Sequence, residues 1–424
     1  MNLLINPDPA EFYELTKRPS IESENLQNII ADVYANIEKN GDQAVKEFTK
    51  KYDGVELENL RVNEDELTEA YTQMDEKLKT AISIASKNIH SFHAAQLADV
   101  KNLEVQEGIV LSQRNVGIQR VGIYIPGGTA PLLSTILMLA IPAKIAHCKE
   151  NVLCSPPTYN GGIHPSILAT AKMCGITEVY SVGGAQAIAA MAIGTESIKK
   201  VMKVFGPGDQ YVTSAKEYAL RYGVAMDLPA GPSELLVFAD KSAVSAFIAS
   251  DLLSQAEHGG DSQVVLVSTS NEIISEVYEE LANQIQTLPR KKIAESALLN
   301  SKAVFFDSIE NAFQFVNEYA PEHLIIASES PTKYVELIEN AGSVFLGNFC
   351  PESAGDYASG TNHTLPTNGW AKSYSGVNID AFTKKISFQS INKEGLKLLA
   401  PSVTTIAREE QLEAHARAID IRLK

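Results

Sequence analysis

Two glutamate–histidine pairs are the features of this chain most suited to chemistry. Glu322-His323 precedes a short apolar run, and Glu257-His258 ends a stretch with helical periodicity. The sequence contains eight histidines, so two that directly follow a glutamate are a marked concentration. Carboxylates and imidazoles are the side chains that transfer protons near neutral pH and bind metals. The pairs predict an enzyme.

Gln255 lies three residues before His258, at the end of a helix predicted over 242–258. Residues three apart share a helix face, so the amide oxygen and the imidazole could bind one cation such as zinc. Gly259 and Gly260 provide the signal that ends the helix. The alternative is a capped helix end at which the histidine interacts with the helix dipole.

Asp356 and His363 lie in segment 348–370, which has no clear period and is rich in Gly, Ser, Thr, Asn and Pro. A long irregular loop inside a compact enzyme is usually functional. Together with Gln255 and His258, these residues would supply oxygen and nitrogen ligands from two distant segments. The alternative is that each is an ordinary turn residue.

Glu410 and His415 are the last polar pair, on an amphipathic helix predicted over 407–421. Five residues correspond to about 140° around a helix, so the two side chains do not share a face. A packed, partly buried histidine is the alternative for His415. A rival metal pair, His90 and His93, has no suitable third ligand nearby, and a solvated helix face is the favoured interpretation there.

Length, charge and cysteine content limit the class of protein. A chain of 424 residues predicts two or more domains. The net charge of -16 argues against nucleic acid or an anionic membrane as partner, and favours a small-molecule substrate. Four cysteines without a CxxC pair indicate reduced thiols. The first residues do not resemble a signal peptide, and no apolar run reaches the roughly 18 residues of a membrane span, so a cytoplasmic enzyme is expected.

The order of predicted elements indicates an α/β fold. Residues 21–97 have a helical pattern, with one long helix or two over 64–92. After Arg120, short apolar runs alternate with helical stretches, as in βαβ units with a largely parallel sheet. The predicted strands are 121–125, 151–154, 178–182, 201–205, 235–239, 264–267 and 303–306.

Glycine-rich turns at 126–128, 183–184, 206–208 and 230–233 accompany this alternation. Backbone N–H groups in such turns can face an anion at a helix start. None of these turns reads G-x-G-x-x-G, so the usual dinucleotide fingerprint is absent. Each turn by itself is as compatible with a plain turn as with a ligand cradle.

Taken together, these segments resemble the histidinol dehydrogenase family, whose members are zinc- and NAD-dependent enzymes. The length of the chain also fits, whereas the first 100 residues contribute little. The matching segments run in the family's order and are 120–128, 183–187, 230–234, 254–259, 320–324, 353–366 and 410–415.

The resemblance implies two incomplete Rossmann-like domains, one inserted in the other, with a helical N-terminal arm and a C-terminal tail. The expected boundaries are 1–20 for the arm, 21–120 with 234–378 for the first domain, 121–233 for the second, and 379–424 for the tail. It also implies a homodimer in which the tail of one subunit completes the site of the other.

The resemblance further implies oxidation of L-histidinol to L-histidine, in which four electrons pass to two NAD through L-histidinal. Glu322 and His323 would be the catalytic acid/base residues. Other roles follow from matched positions: zinc ligands Gln255, His258, Asp356 and His415; substrate contacts at these four residues and at Ser233, His323, His363 and Glu410; NAD contacts Tyr124, Gln186 and Asp209.

One position departs from the family pattern, since Asp209 follows Gly-Pro-Gly where asparagine is usual. A carboxylate beside an anionic cofactor should weaken binding unless a cation or a raised pKa offsets it. Two rival functions remain open at this point: a zinc-dependent hydrolase, although HExxH is absent, and a non-enzymatic metal- or nucleotide-binding protein.

Overall fold

The computed structural model describes residues 1–18, 24–97, 102–127, 131–229 and 231–424. Within these ranges the strands form three sheets. The strands are β1 Asn2–Ile5, β2 Asn102–Gln106, β3 Ile109–Gly117, β4 Arg120–Tyr124, β5 Glu150–Ser155, β6 Glu178–Ser181, β7 Lys203–Phe205, β8 Ala225–Met226, β9 Glu234–Ala239, β10 Gln263–Ser268, β11 Lys302–Phe305, β12 His323–Ala327, β13 Ser343–Leu346 and β14 Thr383–Ile391.

Helices account for most of the remaining described chain. They are α1 Phe12–Leu15, α2 Glu24–Tyr52, α3 Glu64–Gln73, α4 Glu76–Ala94, α5 Leu133–Ile145, α6 Pro165–Cys174, α7 Gly184–Ile193, α8 Gln210–Ala219, α9 Ser245–Ala256, α10 Asn271–Gln284, α11 Lys291–Leu299, α12 Ile309–Tyr319, α13 Glu352–Tyr357, α14 Ile379–Phe382, α15 Lys393–Glu409 and α16 Glu413–Leu423. Helix α2 is kinked at Gly41, whose φ is 54°.

The larger sheet has six parallel strands in the order β1-β11-β10-β9-β12-β13. Its central strands β9, β10 and β12 are buried at every position, and their sequences are almost continuously apolar because helices cover both faces. One face packs on helices α9, α10 and α11, and the other on α12. This sheet carries the Glu322-His323 segment at the start of β12.

The N-terminal residues correct one expectation. An arm with helical structure was predicted over 1–20, but Asn2–Ile5 is a strand that pairs in parallel with β11. Helix α1 is four residues long, and its Phe12 packs edge-on against Phe306 and Phe315. Residues 19 and 20 lie outside the described part. The start of the chain is therefore an edge strand of the larger sheet.

The second sheet has five parallel strands in the order β6-β5-β4-β7-β8. Helices α5 and α6 cover one face, with α3 and α4 packed outside them. Helices α7 and α8 cover the other face, with α2 packed on both. Two parallel sheets flanked by helices confirm the α/β class. The finer description as two incomplete Rossmann-like domains, one inserted in the other, stays a prediction.

Helices α2 to α4 do not pack where the sequence placed them. Residues 21–120 were assigned to the domain that contains 234–378, yet the apolar stripes of these helices pack on the helices that cover the five-stranded sheet. Ile30 and Tyr34 of α2 share a core with Ile188, and Ile89 of α4 shares one with Ile136. The reason is apolar complementarity, since α5 and α7 are apolar on nearly all sides and need a second layer of helices.

The tail contains both sheet and helix. Strand β14 pairs antiparallel with β3, which pairs with β2, and most of their side chains are exposed. Helices α15 and α16 follow and pack on each other. The single helix predicted over 407–421 is wrong, because Gln411 has a φ of 62° and α15 ends before it. In the described chain, no helix has both the length and the hydropathy that a bilayer crossing requires.

Candidate functional site

Glu322 and His323 lie at the edge of the larger sheet where its parallel strands begin. His323 is the first residue of β12, the strand between β9 and β13. Both side chains are buried, with 5% and 4% of their surface exposed. The Glu322 carbonyl accepts the N–H of Ser343, and its Oε2 accepts the N–H of Glu234 at 2.8 Å. Pairing with both neighbouring strands fixes the position of this glutamate.

Three carboxylates surround the His323 imidazole. Its Nδ1 lies 3.5 Å from Glu352 Oε1 and 3.7 Å from Glu322 Oε2, and it reaches the Glu234 carbonyl at 3.3 Å. Its Nε2 lies 3.4 Å from Asp356 Oδ1, within ion-pair distance, and neither atom has a hydrogen-bond partner among the described residues. Each side of the ring therefore faces negative charge.

Helix α13 delivers two of these carboxylates. Glu352 and Asp356 are four residues apart, so both project from one face of the helix toward His323. Segment 348–370 was expected to lack secondary structure, and α13 corrects that. Its central Gly355 lies so close to the Phe345 ring that an added Cβ would fall 2.5 Å from a ring carbon. This close approach holds α13 against β13.

Electrostatics within the cluster follow from burial and mutual charge. Burial would lower the pKa of His323, but the carboxylates of Glu352, Glu322 and Asp356 outweigh it and raise that pKa to about 10. Burial raises the pKa of Glu322 to about 8 and that of Glu352 to about 8. Burial opposes ionisation of Asp356 too, yet its contact with His323 and the neighbouring histidines hold its pKa below the usual range. Glu322 and Glu352 can therefore take up or release a proton close to neutral pH.

The end of α9 places Gln255 and His258 at the same edge, because α9 runs back from the carboxyl end of β9. Gln255 is buried with 1% exposure, whereas His258 follows the helix and remains exposed to solvent. The surrounding protein nevertheless lowers the pKa of His258, and Asp356 and His323 both act on it. The helix begins at Ser245 and not at 242. His258 is thus a neighbour of the His323 cluster.

His363 and Ser233 complete this edge of the sheet. Burial lowers the pKa of His363, which also feels the charges of Asp356, His323 and His258 and hydrogen-bonds the backbone of Ser134. Ser233 immediately precedes β9, and its carbonyl accepts the N–H of Gln263. The loop that carries His363 is anchored by its neighbour Asn362, which donates to the Met138 carbonyl at 2.6 Å.

The rival pair His90 and His93 is not a metal site. His93 is fully buried, donates from Nδ1 to the Ile89 carbonyl at 2.8 Å, and contacts Asn362 through Nε2 at 3.3 Å. The expectation of a solvated helix face is wrong for His93, although His90 is exposed. His93 instead supports the loop beside His363.

Several buried polar atoms of the cluster lack a hydrogen-bond partner in the described structure. Buried polar groups are normally paired, so a group of unpaired atoms indicates room for a ligand. The ligand atoms of His323, Glu352 and Asp356 lie within 4.8 Å of one another, a spacing that a metal ion could bridge. The unpaired atoms are Gln255 Oε1 and Nε2, His323 Nε2, Glu352 Oε2, Asp356 Oδ1 and His363 Nε2.

The structure gathers part of the residue set that the sequence singled out. His258, His323, Asp356 and His363 influence one another, with Glu322 in contact and Gln255 on the adjacent helix end. Glu410 and His415 are not brought to this cluster within one chain. Both are exposed: Glu410 caps the end of α15, and His415 lies in the first turn of α16.

Glu352 is the residue that sequence reasoning missed. It is buried with 2% exposure and lies as close to His323 as Asp356 does. A signal was present, because Pro351-Glu352 is a typical helix start and places a carboxylate four residues before Asp356. The glycine and small polar residues around Glu352 obscured the helical period of the segment that forms α13.

A second feature is a cavity of about 1100 Å³ at the carboxyl end of the five-stranded sheet. Tyr124, Gln186 and Asp209 all line it, as do the glycine turns after β4, β6 and β7. Gly206 has a φ of 129°, and an added Cβ would fall 2.1 Å from the Tyr124 carbonyl oxygen, so glycine is required there. The cavity is large enough for a nucleotide cofactor.

Buried ionic groups support the wall of this cavity. Lys216 and Asp227 form an ion pair at 2.6 Å with essentially no exposure. Asp227 Oδ2 accepts the Gly206 N–H, and Lys216 donates to the Gly206 carbonyl. Asp209 caps helix α8 by accepting the N–H groups of the next turn. The carboxylate that departs from the family pattern thus has a local structural role.

Fold and site together define an α/β protein with a buried histidine–carboxylate cluster and a separate nucleotide-sized cavity. The family model "Histidinol dehydrogenase" matches residues 16–423. A histidinol dehydrogenase from Bacteroides thetaiotaomicron is 50% identical over 423 residues, covering 100% of this chain and 99% of that protein. One from Vibrio vulnificus is 50% identical over 413 residues, covering 97% and 95%.

A crystal structure of histidinol dehydrogenase from Elizabethkingia anophelis has a TM-score of 0.98 to this fold. Its sequence identity is 50%, and the match covers 100% of this chain and 98% of that one. The chain therefore belongs to the histidinol dehydrogenase family and is an oxidoreductase.

Proposed function

We propose that the chain catalyses the four-electron oxidation of L-histidinol to L-histidine through bound L-histidinal, the last step of histidine biosynthesis. The observation that supports it best is the buried Glu322-His323 pair, surrounded by unpaired polar atoms that need a ligand. Membership in the family supports the choice of substrate. The two hydrides would pass to NAD, bound twice in turn.

His323 is the residue we assign to proton transfer at the substrate hydroxyl. Oxidation of an alcohol requires loss of the hydroxyl proton as the carbon–hydrogen bond breaks. The unpaired Nε2 is the ring nitrogen available to a substrate, since Nδ1 faces the Glu234 carbonyl and two glutamates. The carboxylates raise the pKa of the ring, so a ring that has first lost its proton is a strong base toward the hydroxyl, and they stabilise the imidazolium that then forms.

Glu322 is the residue we assign to water activation at the aldehyde stage. Burial raises its pKa to about 8, so its carboxylate is a stronger base than an exposed one. Its hydrogen bond with the Glu234 N–H fixes one oxygen and leaves the other to act on water. Because Glu322 and His323 are adjacent, both can act on the same substrate carbon, one when the alcohol is oxidised and the other when the aldehyde is oxidised.

The residues at the edge of the sheet fit a zinc ion. Amide, imidazole and carboxylate donors are all present, and Gln255 and Asp356 have buried oxygens without partners. We propose Gln255, His258 and Asp356 as ligands from one chain and His415 from a second copy. When bound, zinc would orient the imidazole and amine of the substrate and polarise its oxygen.

The remaining contacts complete the proposal. Ser233 and His363 lie at the edge where the substrate would bind, with Glu410 supplied by a second copy along with His415. The cavity lined by Tyr124, Gln186 and Asp209 would hold NAD. No nucleic acid or membrane partner is proposed, in keeping with the net charge of -16, and a cytoplasmic location stays a prediction.

A homodimer with exchanged tails would explain why Glu410 and His415 lie away from the cluster. The tail exposes large apolar side chains, among them Phe388, Leu398 and Ile406. Exposed apolar groups on an extended segment are typical of a surface that another chain covers. The tail strand β14 and helices α15 and α16 are the elements that we expect to be exchanged.

A zinc-dependent hydrolase is not favoured, because membership in a dehydrogenase family and the nucleotide-sized cavity are not features of peptide cleavage. The deciding experiment is metal analysis of the purified protein together with reduction of NAD by L-histidinol, before and after chelation. We expect zinc near one per chain, two NAD reduced per histidinol, and loss of activity on chelation that added zinc restores. Absence of NAD reduction with a full complement of metal would contradict the proposal.

A further inference from the structure

The nucleotide-sized cavity contains a carboxylate, Asp53, that belongs to none of the motifs described above. Asp53 follows the last residue of α2, where its N–H donates to the Thr49 carbonyl. It is half-buried and lines the cavity together with Gln186. Its described contact is a weak hydrogen bond from Gln186 Nε2, 3.4 Å from Asp53 Oδ2. Most of its hydrogen-bonding capacity is therefore free to meet a ligand.

The walls around Asp53 suit the adenosine half of a dinucleotide. Ile29, Val33 and Tyr52 of α2 provide apolar and aromatic surface beside it. The opposite end of the cavity reaches Pro131 at the start of α5, where the Ser134 backbone contacts His363 of the catalytic cluster. Helices α2 and α5 cover opposite faces of the five-stranded sheet. The end at Asp53 is thus the one remote from the reacting atoms.

The carboxylates that line the cavity are not balanced by a lysine or arginine among the described lining residues. These carboxylates are Asp53 and Asp209. Among those residues no cation pairs with Asp53, and burial raises its pKa to about 6, which leaves it mainly ionised at neutral pH. The start of α7 has no side-chain cap; its first N–H, that of Gly184, donates to the Tyr124 hydroxyl at 3.0 Å, and the N–H groups that follow are available to a pyrophosphate.

We infer that Asp53, held by Gln186, binds the hydroxyls of the adenosine ribose and excludes a dinucleotide that carries a 2′-phosphate. An ionised carboxylate accepts two hydroxyl hydrogen bonds from a ribose diol and repels a phosphate at the same position. In Rossmann folds this role is filled by an acidic residue after the second strand, whereas here it comes from the end of a helix. The inference rests on the proposed function and names the cofactor selectivity of that site.

Two ligands that lack the nicotinamide test the inference without turnover. Calorimetric titration with ADP-ribose and with 2′-phospho-ADP-ribose measures the selectivity of the adenosine half alone. We expect the wild type to prefer ADP-ribose by about tenfold or more, Asp53→Asn to lose most of that preference, and Asp53→Arg to reverse it. Glu56→Gln is the matched control, because Glu56 is exposed outside the cavity and loses the same charge.

The outcomes separate this inference from the proposed function. A wild type that reduces NAD with histidinol but binds both ligands equally would overturn the inference alone. So would an Asp53→Asn variant that binds ADP-ribose and keeps the wild-type preference, or a Glu56→Gln variant with the same change. If the wild type neither reduces NAD nor binds ADP-ribose, both the inference and the proposed function are overturned. The inference would gain independent support if Asp53→Asn lowered the KM for NADP relative to the KM for NAD.

Discussion

Glu322 Oε2 accepts the backbone N–H of Glu234 at 2.8 Å, across the boundary between β12 and β9. The contact uses the side chain of one strand start and the main chain of the other. A glutamine at 322 can keep this hydrogen bond through its amide oxygen but cannot act as a base. The position of the residue and its charge can therefore be separated by mutation.

Glu322→Gln should spare oxidation of the alcohol more than oxidation of the aldehyde, because the proposed role of the carboxylate is to activate water. We expect a loss of about 10²–10⁴-fold in the aldehyde step. Single-turnover measurements that start from histidinol and from histidinal give the two rates separately. Equal loss of both steps would contradict the assigned division of labour, and Glu322→Ala controls for loss of the hydrogen bond.

Glu352→Gln should reduce kcat by about tenfold or more with a smaller effect on KM, because the role proposed for Glu352, which lies 3.5 Å from His323 Nδ1, is to stabilise the imidazolium. Carboxylates raise the pKa of His323, so removal of one lowers it. The limb of the kcat profile that reports His323 should then move to lower pH. The exposed Glu336 gives a control, Glu336→Gln, that should leave the profile unchanged. An unshifted limb in Glu352→Gln would exclude this role.

Asp209→Asn should leave NAD affinity equal or better, because it removes a negative charge from the cavity. Asparagine is also a good N-cap, so helix α8 should keep its stability. Asp209→Ala, which removes the cap, should cost about 1 kcal/mol in the free energy of unfolding. Titration with NAD and chemical denaturation measure the two effects. A clear loss of NAD affinity in the asparagine variant would count against the charge argument.

Mixed dimers test the exchange of tails. His323→Ala and His415→Ala variants should each be inactive, since each lacks one essential group of every site. If His415 acts in the partner's site, a mixed dimer contains one intact site and one doubly altered site. Unfolding and refolding the two variants together should then restore about a quarter of wild-type activity. A mixture that stays inactive although mixed dimers form would show that each chain uses its own tail.

Acid should destabilise the fold partly through Asp240. Burial opposes its ionisation, but hydrogen bonds from Ser242, Ser328 and Lys333 keep its pKa well below the usual range. A depressed folded-state pKa contributes stability that is present above the unfolded value near 4 and is lost as pH falls further. Asp240→Asn should cost about 2 kcal/mol at pH 7 and clearly less near pH 3. Urea denaturation across this range measures it, and an equal loss at both pH values would refute the linkage.

Seven strands of the two parallel sheets were predictable from sequence because burial on both faces leaves a plain signal. The run predicted as 264–267 is β10 Gln263–Ser268, and the run predicted as 178–182 is β6 Glu178–Ser181. Strands of this kind need apolar residues at every position, so periodicity does not have to be resolved. The length of each apolar run and the turns on either side of it were sufficient to identify these strands.

The parts that were not predictable depend on contacts distant in sequence. Nothing local in 348–370 indicates that α13 packs against β13 and turns Glu352 toward His323. The break at Gln411 has no glycine or proline to mark it, and the helical period continues across it. The side on which α2 packs was likewise set by the all-round apolar character of α7, not by α2 itself.

Strand β1 carries a consequence for how the molecule is made. Its partner β11 begins at Lys302, so β1 waits until the chain has been synthesised through Phe305 before its hydrogen bonds can form. Contacts of such sequence separation are slow to close and come late in folding. Strand β1 is therefore made long before it can dock, and the larger sheet reaches its full width only after its other edge strand, β13, has been made.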